Sequence, residues 1–101
     1  MRVLVTTSNY VAIATIDPER AALLSLSMIH GGDGLYTGAT WNDEHLFITA
    51  KNGRTWGDDR GAQRERIYII DKRLAVVDEL QLGTFDVHQV HWSVRDRALL
   101  I

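Results

Sequence analysis

The sequence predicts an all-β fold of two four-stranded antiparallel units, and three observations carry that reading. Short apolar runs alternate with polar residues at the period of a half-buried strand, turn-forming residues bound each run, and the runs recur in the same order along the chain. The recurrence is clearest between residues 2–9 (RVLVTTSN) and 45–52 (HLFITAKN), where three apolar positions coincide and Thr6 and Asn9 return as Thr49 and Asn52.

With the strands of the unit named A to D, the chain opens on strand B. Strand C follows, and residues 11–17 (VAIATID) match 65–71 (ERIYIID) at Ile13 and Ile67, Ile16 and Ile70, Asp17 and Asp71. The wider spacing of this second match places a longer loop after Lys51. Strand D aligns Ala21 with Ala75, Leu26 with Leu80 and Met28 with Leu82, with polar Ser27 and Gln81 in between. Strand A pairs residues 36–42 with 87–93 in the register of Trp41 and Trp92, and a polar turn follows each. Residues 99–101 (LLI) then repeat Val3, Leu4 and Val5 as the stub of a further B strand.

A competing signal lies at residues 17–24 (DPERAALL). Asp17 as N-cap, Pro18 at the first helical position and Glu19 in the first turn open a helix near 18–29, which gives a small α+β domain instead. The strand reading is preferred because Leu24, Leu26 and Met28 alternate with Ser25 and Ser27, as the face of a strand requires.

A unit of four short strands in about 43 to 54 residues has the size of one β-propeller blade. The chain then reads as a single domain, residues 1–101, of two blade-like repeats in permuted order: B-C-D over 2–29, A-B-C-D over 35–82, A over 86–93 and the B stub over 97–101. Residues 86–92 (DVHQVHW) with 97–101 (RALLI), and 35–49 (LYTGATWNDEHLFIT), resemble the inner and second strands of propeller repeats of the NHL and lactonase-like kind. Residues 66–71 (RIYIID) resemble their third strand. The resemblance spans nearly the whole chain and implies a blade architecture without implying a particular reaction. Natural propellers have ~4 to 8 blades, so two cannot close a ring. The expected remedy is the remainder of a longer propeller or self-association as a homo-oligomer, in which three copies supply six blades.

Composition narrows the remaining classes. The 101 residues make one small domain with a marginal core, and the 46% hydrophobic content sets it apart from disordered chains. With no cysteine there is no disulfide framework, thiolate metal site or cysteine nucleophile. A formal charge of -2 offers no general attraction to nucleic acid or to an anionic membrane. No apolar run reaches the ~20 residues of a membrane span, and no secretory leader is evident, so a soluble cytoplasmic protein is expected.

In a propeller the D-to-A and B-to-C connections share one rim, and here they are the long ones, at residues 29–34 and 51–65. Long loops on a rigid face are where binding sites gather. The candidate ligand-binding residues on that rim are His30, Asp33, Trp56, Asp58, Asp59, Arg60, Asp86 and His88. Asp86 and His88 share one strand face and are the candidate ligands of a divalent metal, whereas His91 falls on the other face and cannot join them. The competing structural roles are an Asp86 that holds its turn and a His88 that hydrogen-bonds between blades. Lys51, Arg54, Arg60, Arg64 and Arg66 outnumber Asp58, Asp59 and Glu65 in the second loop, and Trp56 among them has a face on which a base or sugar could stack. A nucleic-acid partner would need a larger basic field, so a solvated loop anchored by Trp56 is preferred. The glycines of residues 31–34 (GGDG) read as a tight turn, since no Lys-Ser/Thr follows them. Trp41 and Trp92 are expected to pack between blades, and Tyr10, Tyr36, Phe47 and Tyr68 to serve the core. No motif of a hydrolase nucleophile, zinc protease or glycosidase is present. The preferred function is therefore a non-catalytic binding or scaffold module without a cofactor, and the alternative is a metal-dependent propeller enzyme of hydrolase or lactonase type.

Overall fold

A computed structural model describes residues 1–32, 35–51, 65–82 and 89–101. Within them lie nine strands: β1 (Arg2–Thr6), β2 (Tyr10–Asp17), β3 (Ala22–Gly31), β4 (Tyr36–Trp41), β5 (Leu46–Ala50), β6 (Glu65–Ile70), β7 (Val76–Leu82), β8 (His91–Ser93) and β9 (Ala98–Leu100). They form a three-stranded sheet in the order β1-β2-β3, a four-stranded sheet in the order β4-β5-β6-β7, and the β8-β9 hairpin. All pairings are antiparallel and join strands adjacent in sequence.

The described residues contain no helix, so the α+β alternative is overturned. The reason lies in the bonds that Asp17 makes. Its Oδ1 accepts from the backbone N–H of Glu19 at 3.0 Å and of Arg20 at 3.3 Å, the same bonds an N-cap would take. Ala21 then enters the left-handed region at φ 50° and turns the chain back into a hairpin. The other turns close similarly. Asn42 Oδ1 accepts from Glu44 and His45, Asp71 Oδ1 from Arg73 and Ala75, and Ser93 Oγ from Asp96. Leu74 at φ 65° and Arg97 at φ 51° take the place that Ala21 holds.

One register differs from the sequence alignment. In the first hairpin Asp17 pairs with Ala22, whereas in the second Ile70 pairs with Val76 and Asp71 N–H bonds the Ala75 carbonyl, so the second turn is one residue shorter. A slip of one residue exchanges the faces of a strand. By pairing, Leu26 opposite Ala14 corresponds to Glu79 opposite Tyr68, and Met28 opposite Ala12 corresponds to Gln81 opposite Arg66. Leu80 and Leu82 therefore lie on the opposite face from the one aligned with Leu26 and Met28.

The middle sheet is covered on both sides. Towards the first sheet, Tyr36, Ile48, Tyr68 and Ile70 are buried together with Val11, and Leu4 packs against them. Towards the last hairpin, Phe47 and Ile67 are buried with Val90, and Trp92 and Leu99 close over them. Trp92 stacks on Phe47 with ring centroids 5.6 Å apart and planes inclined by 8°, while the backbone N–H of Trp92 donates to Thr40 Oγ1 at 2.9 Å. Trp41 departs from the expected packing and is 68% exposed. Trp92 is held through Thr40 of β4, and among the described residues the three-stranded first sheet supplies no such bond to Trp41.

Candidate functional site

The most organised group of polar and aromatic side chains lies where the first and middle sheets meet, at the rim reached by the β1-β2 turn and the β3-β4 connection. A bulge in β3 starts it. Val11 pairs with His30 and Ala12 with Met28, which leaves Ile29 as the extra residue. Such a bulge re-aims the side chains beside it. His30 is set on the face of Val11, towards the middle sheet.

Backbone bonds hold the rim in place. Gly32, at φ 86° in the region that favours glycine, donates its N–H to the Asn9 carbonyl at 3.2 Å. Tyr36 N–H reaches across to the Thr7 carbonyl at 3.1 Å, and Lys51 N–H to the Leu35 carbonyl at 2.7 Å. The Thr7 hydroxyl donates to the Tyr10 carbonyl and accepts from the N–H groups of Asn9 and Tyr10.

His30 sits among aromatic rings. Its Nδ1 is 2.7 Å from the Tyr36 hydroxyl, its ring meets Tyr36 edge-on at 5.8 Å, and it lies 4.3 Å from the Tyr68 ring at a tilt of 35°. Arg66 Nη1 donates to the Tyr68 hydroxyl at 3.5 Å and stands 3.8 Å from Glu79 Oε1. The result is a band of polar tips running from His30 through two tyrosines to an ion pair. On the other face of the middle sheet, Thr49 Oγ1 donates its proton to the Gly38 carbonyl at 3.2 Å, so the Thr37 hydroxyl is the donor in their 3.0 Å contact. Glu65 opens β6 nearby as a carboxyl only 3% exposed.

Of the residues the sequence singled out for this rim, the described structure includes His30 alone. Asp33, Trp56, Asp58, Asp59, Arg60, Asp86 and His88 lie outside the described residues, and with them both candidate metal ligands. Among the described residues no three His, Asp or Glu side chains are grouped as a metal site would need. Sequence reasoning assigned Tyr36 and Tyr68 to the core. They are buried, yet their hydroxyls also serve the polar band. Arg66 and Glu79 were missed as members of it. A usable signal existed in the alignment of residues 11–17 with 65–71, in which Arg66 and Tyr68 stand opposite Ala12 and Ala14.

The arrangement can hold its tyrosines and His30 in fixed orientations and present them beside the rim. Within the described residues it contains an imidazole hydrogen-bonded to the Tyr36 hydroxyl and a partnered cation. Compared with protein-family models, curated proteins and solved structures, the chain gives no match.

Proposed function

We propose that this chain is a non-catalytic binding or scaffold module made of β-propeller blades, completed by self-association or by the further blades of a longer propeller. One observation carries the reading: among the described residues the middle sheet is packed on both faces and the first sheet on one face only. Its other face carries Val3, Val5, Ala12, Ala14, Leu26 and Met28, and on it Leu26 is 49% and Met28 68% exposed. Apolar sheet faces of this kind are covered by a neighbour in a working assembly.

Three associated copies would supply six blades, and recognition would take place at the long-loop rim beside His30. The experiment is thermal unfolding over a hundredfold range of protein concentration, with and without calcium, zinc or manganese. A melting temperature that rises with concentration and ignores the metals supports the module. One that ignores concentration and rises with a metal, the rise being lost in His88→Ala, would support the hydrolase or lactonase reading instead.

A further inference from the structure

β1 is an edge strand, and the phase of its hydrogen bonds shows what its free side offers. Met1 and Ile16 exchange both backbone bonds, at 2.9 and 2.8 Å, and Thr7 N–H bonds the Tyr10 carbonyl at 3.0 Å. In an antiparallel pair such two-way positions alternate with outward ones. The register therefore turns Val3 and Val5 towards β2, and leaves the N–H and C=O groups of Arg2, Leu4 and Thr6 on the outer edge.

In the middle sheet β5 stands in the same phase. Asn42 N–H bonds the His45 carbonyl, and the register with β4 then directs the backbone of His45, Phe47 and Thr49 towards β4. These three residues are the repeat counterparts of Arg2, Leu4 and Thr6. The first sheet thus presents, in matching register, a slot that a strand like β4 fills in the middle sheet. Among the described residues one other strand is of that kind. β8 pairs Trp92 with Leu99 as β4 pairs Trp41 with Leu46, and its present partner β9 has three residues.

We propose that β8 of one copy leaves β9 and pairs with the free edge of β1 in a second copy, Trp92 lying opposite Val3 of that copy. The inference rests on the module reading above and names its contact. The pairing gives β8 the partner phase that β4 has in the middle sheet. It also continues the existing interface between sheets: the face of Ala12, Ala14, Leu26 and Met28 in the second copy comes to lie against Ile69, Leu80 and Leu82 of the first, beyond the reach of the short β8-β9 hairpin. Strand addition at a free edge is a recurrent mode of association.

The test measures mass by light scattering and sedimentation over a concentration series for the 101-residue chain, for Arg2→Pro and for a chain shortened after Asp96. Arg2 lies opposite Ser93 of β8 in the proposed pairing; it is exposed, its N–H faces away from β2, and it is the first residue of β1, a position at which proline is tolerated in an edge strand. The full chain is expected to associate, and Arg2→Pro to weaken association by about tenfold or more while keeping the circular dichroism of a β protein. Removing residues 97–101 frees β8 and is expected to strengthen association. If Arg2→Pro associates as tightly as the unaltered chain and the shortened chain more weakly, the strand exchange is overturned. The module reading then survives through contacts between sheet faces, which Leu26→Glu should break. A full chain that remains monomeric at every concentration overturns the strand exchange and the self-association on which it rests, and leaves the module completed by the further blades of a longer propeller.

Discussion

The first and middle sheets carry the same strand order over β1-β2-β3 and β5-β6-β7, yet their corresponding faces differ in chemistry. In the middle sheet the face of Arg66, Tyr68, Glu79 and Gln81 receives His30, Leu4 and Val11 from the neighbouring sheet. In the first sheet the same backbone positions hold Ala12, Ala14, Leu26 and Met28. The covered face uses an ion pair and two hydroxyls to fix the angle of one sheet on the next, and the bare one has small residues as a floor with exposed Leu26 and Met28 beside them. Covered seams inside a chain can be polar because their partners are always present; a seam made with another molecule gains more from non-directional apolar burial.

This contrast can be broken in order of expected effect. Ile48, fully buried in the middle sheet, should cost about 3 kcal/mol when changed to alanine, read from denaturant unfolding. Leu26→Ala in dilute solution should cost a small fraction of that. The two tryptophans give the next comparison. Trp92→Ala should lose about 2 kcal/mol with the Phe47 stack, whereas Trp41→Ala should stay within about 0.5 kcal/mol until the protein is concentrated enough to associate. Tyr36→Phe, which leaves His30 Nδ1 without its 2.7 Å partner, should cost about 1 kcal/mol by thermal unfolding. At the small end, Ala21→Gly should stabilise the first hairpin by about 0.5 kcal/mol, because glycine accepts a φ of 50° without steric penalty. A loss there would show that Ala21 contributes packing that its exposure does not suggest.

Much of the fold was legible because strands announce themselves by alternation and by polar turns. The strand segments expected around residues 2–9, 11–17, 36–42 and 65–71 all contain strands, and Leu24, Leu26 and Met28 identified β3 despite the helix signal before it. That signal misleads for a physical reason: an Asp side chain accepting two N–H groups opens a helix or closes a hairpin, and only the left-handed Ala21 decides between them. The slip in β7 was not legible, since it depends on a turn shorter by one residue and the apolar spacing of Leu80 and Leu82 fits either face. The site was legible at one residue. His30 stood out as a histidine beside a glycine-rich connection, but its neighbours Tyr36, Tyr68 and Arg66 meet it only through the stacking of two sheets and a bulge at Ile29. Neither can be read from alternation along a single strand.

The turns closed by Thr7, Asp17, Asn42, Asp71 and Ser93 also bear on how the chain reaches this arrangement. Each is sealed by a side-chain oxygen a few residues from its donors, and each strand pairs only with its neighbours in sequence. Hairpins of this local kind form in about 1–10 μs. The slow event is then the docking of one finished sheet on another, governed by the seam of His30, Tyr36 and Tyr68 on one side and by Trp92 on the other. Substitutions in those seams should change the folding rate, whereas substitutions at the exposed Leu26 and Met28 should leave it alone.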